Sequence, residues 1–180
     1  MNFPIMVDNA YYCLRTQSPD EYKNQIVRLI CDAYYALDRC MDALSYSVNK
    51  STEGFAFSLI KNIMLLMMTE NSSISYSKEY DVYCRFCKKV GYEPVSQSAL
   101  TGHQSRLTDN NYINTIKSIS YHREKMNSTN YQNLIYGLIM LAIIDEGRFT
   151  EDMYTVLKPF FNSSADRCPS YRELMSEVYG

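Results

Sequence analysis

The sequence predicts an all-α protein, a single-domain bundle of seven or eight helices. Apolar residues recur at three- and four-residue steps along most of the 180-residue chain, as they do on the buried face of a helix. Ser-x-x-Glu capping boxes at Ser18 and Ser170 mark two helix starts. Only six Gly and five Pro interrupt the chain, and no segment alternates between apolar and polar residues for long enough to predict a strand.

Residues 1–17 show no sustained periodicity and are predicted to form an N-terminal arm, with at most a short turn at Asp8–Leu14. The helical domain is predicted to span residues 18–180. In its opening capping box, Ser18 is the cap and Pro19 takes the first helical position. The apolar pattern that follows predicts one amphipathic helix over Pro19–Val48, about 45 Å long.

Three more helical segments are predicted before the centre of the chain. An apolar helix, Phe55–Thr69, is followed by a polar turn and by a helix over Tyr76–Val90, which Gly91 is expected to end. Residues 96–107 predict a short helix and a loop. Thr108 is then expected to cap a helix that extends to Met126.

The segment Asn130–Phe161 is predicted to organise the fold. Its first part, Leu134–Ile144, is apolar on every face apart from Tyr136 and Gly137. Such a helix must be enclosed, and it is far shorter than the roughly 20 residues that span a bilayer, so protein is the predicted surrounding. Asp145-Glu146-Gly147 is expected to end this helix. Thr150 then caps an amphipathic helix whose apolar face comprises Met153, Val156, Leu157, Phe160 and Phe161.

Phe55–Val90 and Leu134–Phe161 share one order of features: an apolar helix, a short polar turn, a hydrophobic residue and an amphipathic helix. Ile74-Ser75 and Phe149-Thr150 take the same place after the two turns. This repetition is consistent with two pseudo-symmetric helix hairpins. The alternative is that any two amphipathic hairpins in a bundle look alike.

Within residues 55–161, two stretches carry a resemblance to a known family: IMLLMMTENSSISYSKEYDVYCRFCKKVGYEP and LIMLAIIDEGRFTEDMYTVLKPFF. They resemble the two halves of the TerB-like (tellurite-resistance B) family, in which an apolar helix and an Asp-Gly turn precede a helix ending in Gly-aromatic-acidic-Pro. Gly91-Tyr92-Glu93-Pro94 matches that ending, and the stretch from Glu146 to Asp152 matches the turn. The resemblance implies an all-α fold and a role in stress response.

In that family the acidic turns form a carboxylate-rich surface implicated in binding divalent metal. Here the first turn, Glu70-Asn71-Ser72-Ser73, has almost no carboxylates, and Arg148 adds a positive charge to the second. A hard cation prefers six to eight oxygen ligands. The candidate ligands would be Asp145, Glu146, Glu151 and Asp152. We favour the simpler interpretation, that these residues are helix caps and helix-dipole partners.

Cys84-Arg85-Phe86-Cys87 is the only Cys-x-x-Cys motif. A zinc site would need further ligands such as Cys31, Cys40 or Cys168, brought close by the fold. A redox pair usually lies at a helix N-terminus, whereas this motif falls in mid-helix. We therefore predict buried, reduced thiols, as expected for irregularly spaced cysteines in a chain without export. His103 and His122, the only histidines, have no repeating acidic or cysteine partner nearby in sequence.

Several function classes are not favoured. Phosphate-binding and dinucleotide-binding glycine motifs are absent, so we predict no cofactor and no enzymatic activity. The net charge of −2, without a cluster of Lys and Arg, does not favour nucleic acid as a partner. The N-terminus lacks the basic and apolar regions of a signal peptide, which predicts a cytoplasmic protein. No membrane span is predicted.

The remaining interpretation is a non-enzymatic intracellular protein that binds another protein, TerB-like, in a stress-response or toxin/defence-related system. One alternative is a virus-type Bcl-2-like bundle with a binding groove, since Gly147-Arg148 resembles that family's Gly-Arg pair, although no Trp precedes it. Another is an immunity protein that neutralises a toxin. The sequence leaves the partner's identity and the oligomeric state open.

One side of the long helix, or the neighbouring N-terminal arm, is predicted to be the contact surface, because both lie outside the repeated core and the helix side interleaves aromatic and charged residues. Its members are Tyr34, Tyr35, Asp38, Arg39, Asp42 and Tyr46. The alternative is an ordinary solvated helix side, or packing of Tyr34 and Tyr35 on the N-terminal arm.

Overall fold

The computed structural model describes residues 2–42, 54–69, 78–99, 117, 123, 126–161 and 170–179. Within these ranges it forms seven α-helices and no strand, which confirms the predicted all-α bundle. The helices are α1 Phe3–Thr16, α2 Pro19–Asp42, α3 Phe55–Thr69, α4 Lys78–Val90, α5 Ser128–Ile143, α6 Glu151–Phe161 and α7 Tyr171–Tyr179.

Helix α5 lies at the centre of the bundle. Its longest interface is with α2, and α1, α3, α4 and α6 also contact it. Every residue of Leu138–Ile143 is fully buried. The prediction that protein encloses this apolar helix is therefore confirmed.

Gly137 allows α2 to approach α5 closely. A Cβ atom at this position would lie 2.9 Å from Ile30 Cγ1 and 3.3 Å from Leu29 Cβ, closer than packed side chains normally come. Nearby, the hydroxyl of Tyr22 on α2 donates a hydrogen bond of 2.9 Å to the Met140 carbonyl on α5. The two longest helices are thus joined by direct packing and by a polar contact.

The predicted N-terminal arm is instead helix α1. Asn2 caps it by accepting a hydrogen bond from the Ile5 N–H, and Pro4 sits in the first turn, where its missing N–H costs nothing. Its inner face buries Phe3, Val7, Ala10 and Tyr11. The spacing of these four residues is helical, so the helix is stabilised by burial against the core.

Most predicted helix ends agree with the structure. In both capping boxes the serine and glutamate exchange hydrogen bonds, Ser18 with Glu21 and Ser170 with Glu173. Gly91 ends α4 with φ of +84°, and the Tyr92 N–H bonds back to the Cys87 carbonyl, as in a Schellman motif. Gly147 has φ of +68° beyond α5.

Helix α5 begins earlier than the apolar run Leu134–Ile144 predicts. Asn127 caps it by accepting a hydrogen bond of 2.8 Å from the Asn130 N–H. An asparagine followed by small polar residues favours both a loop and a helix N-terminus, and the apolar run that follows decides between them.

Several predicted features fall outside the described residues. They are the end of the long helix from residue 43 to 48, the turn Glu70–Ser73 with Ile74 and Ser75 after it, residues 100–107 of the predicted short helix and loop, and most of the helix predicted from Thr108 to Met126. The internal duplication, which depends on Ile74 and Ser75, stays a prediction.

Candidate interaction surface on α2

An aromatic cluster packs the C-terminal half of α2 against α3 and α4. The Tyr34 ring meets the Phe86 ring edge-on with centroids 6.0 Å apart. Phe57 in turn stacks on Phe86 at 5.9 Å and on Tyr92 at 3.9 Å. Because these rings come from three segments of the chain, they fix the rotation of α2 about its own axis.

Tyr34 is not part of an exposed face. Its side chain is only 5% exposed, and burial, with Asp38 and Tyr92 adding to the effect, raises its pKa well above the usual range. The prediction that Tyr34 lies on the contact surface is therefore wrong. Tyr34 follows Ile30 by four residues and precedes Leu37 by three, which places it on the buried side of the helix.

Tyr35 and Arg39 do lie on the outer side of α2. Tyr35 is 42% exposed and its ring packs edge-on against Tyr34 at 5.2 Å, so the buried tyrosine supports the exposed one. Arg39 is exposed one turn later, and Asp38 is half-buried beside them. The side chain of Asp42 and all of Tyr46 lie outside the described residues.

The same outer side continues toward the N-terminus of α2. Arg28 and Asp32 are exposed, and they precede Tyr35 by seven and three residues. This spacing places Arg28, Asp32, Tyr35 and Arg39 along one line on the helix. Arg28 and Asp32 were not among the residues predicted for the contact surface, although steps of three and four back from Tyr35 lead to both.

Ion pairs between α2 and α4 cover the first turns of α2. Asp81 accepts from Lys23 at 2.7 Å and from Arg85 at 3.0 Å, and Arg85 also pairs with Asp20 at 2.8 Å. Burial opposes ionisation of Asp81, but the hydrogen bonds from Lys23 and Arg85 outweigh it and hold its pKa below the usual value. These contacts leave the line from Arg28 to Arg39 as the open side of α2.

The acidic turn after α5, Asp145-Glu146-Gly147, provides the cap of another helix. Asp145 Oδ1 accepts a hydrogen bond of 2.7 Å from the Lys78 N–H at the start of α4, so it caps a helix from the other hairpin. Glu146 pairs with Arg148 at 3.3 Å, and Glu151 and Asp152 are exposed in the first turn of α6. The described residues contain no group of three His, Cys, Asp or Glu side chains arranged to hold a metal ion. The Asp145 cap on α4 and the position of Glu151 and Asp152 in the first turn of α6 agree with the interpretation of these residues as helix caps and helix-dipole partners.

Among the described residues, Cys13, Cys31, Cys40, Cys84 and Cys87 form no disulfide with one another. Burial raises the pKa of Cys87 to about 12 and that of Cys31 to about 11, and it also raises the pKa of Cys84. A thiol with a raised pKa is a poor nucleophile and a poor metal ligand at neutral pH. Cys168, His103 and His122 lie outside the described residues.

A small cleft separates α1 from the acidic turn and α7. Its volume is about 240 Å³, and Asp8, Tyr11, Leu14, Arg15, Gly147 and Val178 line it. Phe149 is buried next to this cleft. Its N–H donates to the Tyr11 hydroxyl of α1, and its carbonyl accepts from the Tyr171 hydroxyl of α7 at 2.7 Å. Helices α1 and α7 therefore hold in place the turn that borders the cleft.

No family model matches this chain, and comparisons with curated proteins and with solved structures find no match. Among the described helices, none combines the length and the apolar character needed to cross a membrane.

Proposed function

We propose that this protein is not an enzyme and acts by binding another protein through the outer side of α2. The observation that carries the proposal is the placement of Tyr35. It is 42% exposed, rests on the buried ring of Tyr34 and is flanked along the helix by Asp32 and Arg39. Tyr and Arg dominate binding hot spots because they bury a large area and keep a polar group for hydrogen bonding.

Rigidity supports this assignment. The aromatic cluster and the ion pairs to α4 hold α2 in one orientation, so a partner meets a preformed surface and does not have to order it. The alternating charges of Arg28, Asp32 and Arg39 around one aromatic ring favour a partner surface of mixed charge with an apolar depression at its centre. The raised pKa values of Cys84 and Cys87 argue against these two thiols as nucleophiles.

The proposed setting is a stress-response or toxin/defence-related system in the cytoplasm, on the basis of the TerB-like resemblance. Gly91 and Gly147, which this resemblance aligns with family glycines, both have positive φ where their helices end. An alternative that uses the same surface is an immunity protein, for which the bound partner is a toxin.

The enclosure of α5 supports a second candidate, the Bcl-2-like bundle. Five other helices contact this central helix, an arrangement in which amphipathic helices wrap a buried one. A groove-binding protein would capture an amphipathic helix of its partner by apolar contacts. Capture of that kind would not depend on Tyr35 and Arg39.

The test is quantitative capture from a lysate of the native source with the tagged full chain as bait. The three baits are the wild type, a Tyr35→Ala/Arg39→Ala variant and a control, Phe55→Ala/Lys88→Ala, which removes an exposed aromatic side chain from α3 and an exposed cationic one from α4. Thermal melts of all three should agree closely, because each change removes mainly exposed atoms.

We expect at least one protein that the wild type and the control retain and that the Tyr35/Arg39 variant loses by about tenfold or more. Equal retention by all three baits would contradict binding through α2. Retention that survives both double changes but is competed by an amphipathic helical peptide would favour the groove-binding candidate instead.

A further inference from the structure

The outer side of α1 is a second exposed surface, separate from the one on α2. Ile5 and Tyr12, seven residues apart, are 56% and 61% exposed, and they are two of the four most exposed large hydrophobic side chains in the described part of the protein. Asp8 and Arg15, also seven residues apart, are exposed along the edge of the same side. Exposed apolar side chains bordered by charge are typical of an interaction surface.

The charges on this surface are self-complementary. Asp8 and Arg15 are two helical turns apart, about 10.5 Å, which is too far for them to pair with each other. Neither forms a salt bridge with any residue in the described ranges. The midpoint between them falls beside Tyr12, the most exposed aromatic residue on the helix.

We infer that α1 binds α1 of a second copy of this chain in an antiparallel, two-fold symmetric dimer. A two-fold axis beside Tyr12 places Asp8 of each copy opposite Arg15 of the other, and the two Tyr12 rings meet at the axis. A parallel pairing would instead set Asp8 against Asp8 and Arg15 against Arg15, which like-charge repulsion disfavours. The charges thus select the antiparallel direction.

The outer side of α2 offers less apolar surface for such a pairing. Asp32 and Arg39 are also seven residues apart, but Tyr35, which is 42% exposed, is the one large hydrophobic side chain exposed on the described part of α2, whereas α1 exposes both Ile5 and Tyr12. Self-association through α1 leaves α2 for the partner of the proposed function. Because one helix from each copy forms the contact, the interface is at the small end of specific interfaces and the dimer should be concentration-dependent.

Sedimentation equilibrium of the full chain under reducing conditions tests this inference. The wild type is expected to shift from monomer to dimer as concentration rises through the micromolar range. Asp8→Arg and Arg15→Asp should each weaken the dimer by about tenfold or more, because each places like charges opposite one another. The Asp8→Arg/Arg15→Asp double variant should regain the wild-type dissociation constant, since the pairs are restored with reversed sign.

Mixing the two single variants gives the sharpest outcome. The Asp8→Arg chain carries two positive charges and the Arg15→Asp chain two negative ones, so neither should pair with itself but the mixture should form dimers. A wild type that stays monomeric at every concentration, or a dimer that neither single variant weakens, would overturn the inference. A mixture that fails to associate would overturn the antiparallel arrangement on which the inference rests.

Discussion

Phe149 shows at the scale of single residues how tyrosine hydroxyls hold this protein together. Its N–H and its carbonyl are bound by Tyr11 of α1 and Tyr171 of α7. Two more tyrosines, Tyr22 and Tyr131, donate to buried carbonyls of Met140 and Phe160, at 2.9 and 2.8 Å. The sequence contains 17 Tyr and no Trp, and these contacts give a physical reason, because a phenol ring fills core space while its hydroxyl satisfies a backbone group.

Tyr11→Phe should therefore destabilise the protein by about 1–3 kcal/mol, because the Phe149 N–H loses its hydroxyl acceptor in a buried place. The matched control is the next residue: Tyr12→Phe removes a hydroxyl from a side chain that is 61% exposed and should change stability by less than about 0.5 kcal/mol. Urea unfolding of both variants measures the difference. Equal effects of the two substitutions would show that the Tyr11 hydroxyl does not hold the turn.

At the scale of helices, the sequence predicted elements whose ends carry their own signals. Helix α3 is flanked by polar residues and agrees with its predicted bounds, and the helices opened by Ser18 and Ser170 begin where their capping boxes place them. Helix α1 was missed because it has no capping box, and because its apolar residues alternate with Asp8, Asn9 and adjacent tyrosines that suit either side of a helix.

Of the two adjacent tyrosines predicted for the contact surface on α2, only Tyr35 is exposed. Tyr34 and Tyr35 are chemically identical, and tyrosine is common both in cores and on surfaces. The helical spacing of Tyr34 from Ile30 and Leu37 distinguishes the two, and the packing of Tyr34 against Phe86, a residue 52 positions away in sequence, holds it facing inward. The cap that Asp145 provides for α4 likewise depends on a contact between distant segments, which no local pattern reveals.

The ion pairs between α2 and α4 make a prediction about acid. Lys23 and Arg85 hold the pKa of Asp81 below its unfolded value, so its charge stabilises the folded state above that value. This contribution is lost as pH falls through the lowered pKa. Wild type should exceed Asp81→Asn in stability by roughly 0.2–1 kcal/mol at pH 7, as partly exposed pairs usually contribute. The difference should shrink below about pH 4.

Denaturant unfolding of both proteins across this pH range measures the effect. Asp81→Asn keeps the size of the side chain and removes the titratable charge, so any pH-dependent difference between the two curves is due to Asp81. A constant difference between neutral and acidic pH would mean that the ion pairs do not act on folding.

At the scale of the whole molecule, the bundle is organised by one enclosed helix. Helix α2 lies along α5 over the close contact at Gly137, and ion pairs join α2 to α4. The outer side of α2 thus owes its position to the packing of its inner side. The outer side of α2 should therefore keep its position only while α5 stays enclosed.

Leu138→Ala tests this enclosure directly. Leu138 is fully buried in the middle of α5, so truncating it should lower the free energy of unfolding by about 2–5 kcal/mol through lost burial and the cavity left behind. The same substitution at Leu66, which is only partly buried on α3, should cost clearly less. Urea unfolding of wild type and both variants gives the comparison. A loss at Leu138 of less than about 0.5 kcal/mol, the range of exposed sites, would contradict a bundle organised around α5.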